Sequence, residues 1–121
     1  MKTEIKTFED ACSKLGIEPN LPIVTMLPEA NQKAVIANYQ LDIIQQALNG
    51  DWKADWSDYK QYKYYPWYEK SSSGVGFSFD DFVYGTSVTA VGSRRVFPDR
   101  ETAIYFGKQF IDLVNDATYL E

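Results

Sequence analysis

The sequence predicts an α+β fold: a single domain in which a three-stranded antiparallel meander packs against helices, in the order α-α-β-β-β-α. Three observations lead there. Apolar residues recur at helical spacing over 8–15, 29–49 and about 100–115. Between the second and third of these stretches lie runs of aromatic and β-branched residues, separated by short serine- and glycine-bearing turns. Strands that follow one another through short turns favour antiparallel pairing with helices on one face. A chain of 121 residues suits one domain, 1–121, with residues 1–6 expected to fray.

Thr7 is a helix N-cap, and Asp10 three residues on makes a weaker version of the capping box. Phe8, Ala11, Cys12 and Leu15 then fall at i, i+3, i+4 and i+7, and Gly16 supplies the stop. Cys12 lies on that stripe, where a buried and inert thiol is expected. Residues 16–27 hold two prolines and an apolar run, which predicts an extended connector partly covering the core. Pro28 and Glu29 suit a first helical turn. From there Ala34, Ala37, Leu41, Ile44 and Leu48 line one side of a long helix that Gly50 ends. Ile36, Ile43 and Ala47 widen its apolar face, as in a central core helix.

The character changes at Asp51. Of the 34 residues from Asp51 to Tyr84, 12 are aromatic, including all three tryptophans. YKYYPWY (62–68) is rich in β-formers but holds Pro66, which points to an edge strand. GFSFDDFVY (76–84) starts with alternating faces, and Asp80-Asp81 marks a bulge or a change of face. SVTAVGSRRVF (87–97) reads as the third strand, ended by Pro98-Asp99. In the final helix Gly107 costs about 1 kcal/mol relative to alanine, which implies close packing against another element.

Composition removes most common chemistries. With no histidine there is no Ser-His or Cys-His pair and no imidazole ligand. With Cys12 alone there is no intramolecular disulfide, CxxC pair or cysteine zinc site. Asp51, Asp55 and Asp58 stand at i, i+4 and i+7, but they fail the calcium-loop pattern and read as cap and turn residues. Asp80 and Asp81 diverge on a strand, so they form no opposed catalytic pair. Gly74-Val75-Gly76 precedes a strand rather than a helix and reads as a turn. No metal, cofactor or catalytic residue is expected, and an enzyme is the disfavoured class.

The N-terminus lacks a secretory leader's apolar core, and no run is long and apolar enough to span a membrane, so a cytoplasmic protein is expected. Twelve basic and 17 acidic residues give a net charge of −5, with no block of like charge. That balance disfavours a general polyanion binder.

The aromatic segment is the candidate for contact. Tyrosine joins an apolar face to a polar handle and serves protein interfaces, sugar platforms and base stacking alike. Tyr64 and Tyr65 are adjacent on a strand and should not both point inward. Tyr62, Tyr64, Tyr65, Tyr68 and Tyr84 are therefore the candidate binding surface, with Lys60, Lys63, Arg94 and Arg95 adding charge beside it. Arg94 and Arg95 should face opposite ways, one of them as a structural ion-pair or stacking residue. The leading expectation is a non-enzymatic accessory protein that binds a protein partner or itself. The alternative is a domain that stacks carbohydrate or single-stranded nucleic acid on its aromatics, nucleic acid being the weaker class for an acidic chain.

QYKYYPWYEKSSSGVGFSFDDF, then VGSRRVF, then AIYFGKQFIDL resembles a group of small uncharacterised proteins of gut Bacteroidetes and their phages. Their pattern runs KYYPWF, a serine-glycine turn, GFS with aromatics, VGSRLCF and a terminal helix with GKQF. The likeness spans Thr7 to the last helix. It departs at Arg95-Val96, where Leu-Cys is frequent, and at Tyr68, where Phe is usual. The resemblance implies a bacterial or prophage origin and a phage-related role, with virion association as one location. It carries no activity, cofactor or site residue.

Overall fold

The computed structural model describes residues 4–55, 57–58, 60–70, 77–85 and 95–117. Helix α1 spans Phe8–Leu15, α2 Glu29–Asn49, α3 Arg100–Gln109 and α4 Ile111–Ala117, while β1 (Lys63–Lys70) pairs with β2 (Phe77–Gly85). The described chain is thus mainly helical, and the expected α+β meander of three strands is not what forms.

Local chemistry accounts for the first two helices. Thr7 Oγ1 accepts from the Asp10 amide at 3.0 Å, and Asp10 Oδ2 accepts from the Lys6 amide at 3.0 Å, so two N–H groups at the helix start are satisfied reciprocally. At the other end Gly16 takes φ 72°, a left-handed conformation that glycine adopts without a Cβ penalty. The Ile17 amide then reaches Cys12 O at 3.0 Å and the Gly16 amide reaches Ser13 O at 3.2 Å. In α2 Pro28 provides no side-chain cap; instead Gln32 Nε2 donates back to Leu27 O at 2.7 Å. Ala37, Leu41, Ile43, Ile44, Ala47 and Leu48 are its buried face.

That face lies at the centre. α2 packs against both α1 and α4, and α3 lies against the β1–β2 hairpin. The main core joins Ile5, Phe8 and Cys12 to the α2 stripe and to Phe97, Phe106, Phe110 and Val114. The Phe97 and Phe106 rings lie 4.8 Å apart and Phe106 and Phe110 5.7 Å apart. Gly107, read as a close-packing position, is buried. The fraying expected over 1–6 does not reach residues 4–6. Ile5 is buried, its carbonyl accepts from Tyr105 Oη at 2.7 Å, and Lys6 O accepts from Gln109 Nε2 at 3.0 Å.

Of the expected third strand, 87–97, only Phe97 among the described residues pairs with β1. Phe97 exchanges two backbone bonds with Tyr64, at 3.0 and 2.8 Å, which makes a single antiparallel bridge. The Val96 carbonyl, one residue earlier, is captured by α2, accepting from Gln45 Nε2 at 3.1 Å and Asn49 Nδ2 at 2.9 Å. Pro98 then has no N–H to donate, and Asp99 Oδ1 caps α3 by accepting from the Thr102 amide at 2.8 Å. Residues 87–94 lie outside the described residues. In the β1–β2 ladder the register shifts after Trp67, which pairs with Asp81 while Tyr68 pairs with Phe79, so Asp80 is the bulged residue.

The final helix also differs from expectation. It breaks at Phe110 (φ −110°, ψ 26°), although the Phe110 and Val114 amides keep their bonds four residues back. The buried Phe110 ring meets Phe106 and, edge-on at 6.0 Å, Tyr105.

Cys12 is buried as expected, and burial, with Glu9 adding to it, pushes its thiol above the ordinary range. The native protein should therefore react with a disulfide reagent such as DTNB roughly a hundredfold or more slowly than the chain unfolded in urea. Comparable rates in the two states would show that α1 opens readily.

Candidate functional site

The sequence-predicted surface is divided by the fold. β1 carries core on both of its faces. Tyr64 packs on the main cluster beside Phe97, while Tyr65, 8% exposed, joins a second cluster with Val96, Trp52 and Ala54. Neighbours on a strand do diverge, but here each direction is covered. Lys63 is fully buried, with Nζ donating to Gln61 O at 3.1 Å, so neither it nor Tyr65 presents a contact surface.

Tyr62 is different. It is 55% exposed, and its ring meets the half-buried Tyr64 ring edge-on, with centroids 6.4 Å apart and planes at 67°. Lys60 is exposed two residues away. The backbone places Tyr64 opposite Tyr84 and Tyr68 opposite Phe79; the side chains of Tyr68 and Tyr84 lie outside the described part, as do Arg94 and Gly74-Val75-Gly76. Arg95 is a structural clamp. Its Nη2 donates to Asn38 O at 3.0 Å and to Asp42 Oδ1 at 2.7 Å, which fastens residue 95 to α2.

The loop that carries Tyr62 is shaped by its own side chains. Asp55 Oδ1 accepts from both the amide and the hydroxyl of Ser57, and Asp58 Oδ1 accepts from the Lys60 amide. Gln61 bridges the loop, accepting from the Asp55 amide at 2.7 Å and donating to Lys53 O at 3.2 Å. The Ser57 bonds favour the ionised form of Asp55, whose carboxyl is held below the usual aspartate range. Asp55 and Asp58 thus act as turn residues, and among the described residues no cluster of acids or cysteine could hold a metal.

The connector from α1 to α2 carries the larger apolar surface. Ile23 is 91% and Met26 92% exposed, while Ile17 and Leu21 are each close to half exposed. Pro22, Val24 and Leu27 between them are half-buried, so outward and inward residues alternate over 21–24. Among the described residues nothing hydrogen-bonds the backbone of 18–23, which lies between the Ile17 and Leu27 amide bonds. Each exposed large aliphatic side chain forgoes about 1.5–3 kcal/mol of burial. One such residue is ordinary, but several on one unpaired segment mark a contact surface. The sequence signal was present. The two prolines bar this apolar run from joining either helix or sheet, and its residues follow no helical stripe.

A groove of about 480 Å³ lies elsewhere, lined by residues that include Asp42, Gln45, Gln46, Asn49, Trp52 and Lys53. Two of its three amide side chains are already engaged by the Val96 carbonyl, and Asp42 by Arg95.

No helix among the described residues is long and apolar enough to cross a membrane. Comparison with family models, with curated proteins and with solved structures finds no match to this chain.

Proposed function

We propose that this protein is a non-enzymatic interaction protein, an accessory factor of bacterial or phage origin, that binds a protein through the α1–α2 connector, with Tyr62 in the same role. The observation that carries this reading is the near-complete exposure of Ile23 and Met26 on a segment whose backbone groups are also unpaired over 18–23. Apolar side chains and open backbone N–H and C=O groups together are what an extended segment offers to a partner.

A photo-crosslinking amino acid at position 23 should give protein adducts in cells, while the same group at Ser13, exposed on α1, should not. Adding Met26→Asp should abolish the adducts and leave the circular dichroism unchanged. Equal adducts at both positions, or none at position 23, would refute the proposal.

The groove beside Trp52 favours one second reading, a carbohydrate stacked on that indole. Fluorescence quenching by saccharides that vanishes in Trp52→Phe would select it. Quenching by single-stranded nucleic acid that weakens steeply with salt would select the polyanion instead.

A further inference from the structure

The groove beside Trp52 has a wall whose chemistry is set by one carbonyl. Asp42, Gln45 and Asn49 stand at i, i+3 and i+7 on one face of α2, and all three line the groove. The Val96 carbonyl can only accept, so Gln45 Nε2 and Asn49 Nδ2 turn toward it, at 3.1 and 2.9 Å. Both amide nitrogens are thereby held at Val96, and Arg95 holds Asp42 Oδ1 at 2.7 Å. What remains unbonded among the described residues is a row of oxygens: Asp42 Oδ2, Gln45 Oε1 and Asn49 Oδ1. Asn49 Oδ1 is also buried, and a buried acceptor carries its full desolvation penalty until a donor reaches it.

The charges of the lining narrow the ligand further. Lys53 is exposed at the groove, and its ammonium makes no ion pair or hydrogen bond among the described residues. A bare cation meets Lys53 and finds Asp42 already paired with Arg95. A bare anion meets the three oxygens. A ligand with an ammonium and a carboxylate suits both. The same lining adds apolar surface from Leu15, 36% exposed, and from the half-buried Trp52 indole. At about 480 Å³ the groove falls within the usual range for small-ligand sites, about 300–1,000 Å³.

We propose that this groove binds a free α-amino acid with an apolar side chain. Its ammonium donates to Gln45 Oε1 and Asn49 Oδ1 beside the Asp42 carboxylate, its carboxylate pairs with Lys53, and its side chain lies on Leu15 and Trp52. The inference is independent of the connector. It gives the groove a ligand other than a sugar, whose hydroxyls would leave Lys53 without an anion.

Titration of the full chain with L-leucine, followed by amide NMR of isotope-labelled protein, tests it. Leucine should give saturable shifts at the Asn49 side-chain amide and the Trp52 indole N–H. Leucinamide, which lacks the carboxylate, and N-acetylleucine, which lacks the ammonium, should each bind at least about tenfold more weakly. Lys53 is exposed, so Lys53→Met should fold as wild type does. That variant should weaken leucine by a similar factor and leave leucinamide unchanged, whereas Asn49→Ala should weaken both. No saturable response to leucine, equal binding of leucinamide or N-acetylleucine, or a leucine affinity indifferent to Lys53→Met would each overturn the proposal. Saturation by methyl glucoside without any by leucine would overturn it in favour of the stacked sugar. The crosslinks from position 23 test the connector alone, so either reading can fail without the other.

Discussion

Replacing Phe97 by alanine is expected to cost about 3–5 kcal/mol, the range for truncating a fully buried aromatic side chain. Phe97 has no exposed surface, and its ring lies 4.8 Å from Phe106 in the main core. Its backbone also makes the bridge to Tyr64. The side chain therefore holds the segment that links the hairpin to the helices. Against a total stability of about 5–15 kcal/mol, this loss is the largest of any single substitution considered. Urea unfolding of Phe97→Ala and Phe97→Leu measures it, and the leucine variant should lose under about 1.5 kcal/mol. Hydrogen exchange at the Tyr64 and Phe97 amides should quicken in the alanine variant. A loss below about 1 kcal/mol would show that the site collapses around the missing ring and that Phe97 is not central.

The second large effect is one of redundancy. Gln45 and Asn49 both donate to the Val96 carbonyl, on a residue that is 3% exposed. Either amide alone satisfies that oxygen, so Gln45→Ala and Asn49→Ala should each cost at most about 1 kcal/mol. Together they leave a buried carbonyl without a donor, at about 1–3 kcal/mol. The double variant should therefore lose more than the sum of the singles, in a double-mutant cycle read by urea unfolding. Simple additivity would mean that water replaces the amides and that α2 does not hold residue 96.

This pair also explains where the sequence was legible and where it was not. α1 and α2 were readable because their signals are local: Thr7 and Asp10 at one end, Gly16 at the other, and a stripe from Ala37 to Leu48 between Pro28 and Gly50. The third strand did not follow from its own residues: among those described only Phe97 pairs with β1, and the Val96 carbonyl, turned away from that strand, is taken by amides 51 and 47 residues earlier. The break at Phe110 carries no proline or glycine to announce it, and the bonds four residues back continue through it while its ring packs on Phe106 and Tyr105. The alternation of Tyr64 and Tyr65 was sound, but it assumed one covered face where there are two. The connector was read as extended from its prolines and as partly covering the core from its apolar run; Pro22, Val24 and Leu27 are half-buried, while the outward-facing Ile23 and Met26 follow from neither signal.

The ties between the two ends of the chain bear on how the protein is made. Tyr105 reaches Ile5 across 100 residues, and Gln109 reaches Lys6 across 103. Closing so long a loop costs entropy that only the finished contacts return. During synthesis α1 and α2 emerge well before Tyr105 and Gln109, the groups that anchor residues 5 and 6. Until then the apolar face of α2 lacks Phe97, Phe106 and Phe110 as cover. The central helix thus stays open until α3 and Phe110 have been made, and the cover they supply arrives together with the anchors of residues 5 and 6.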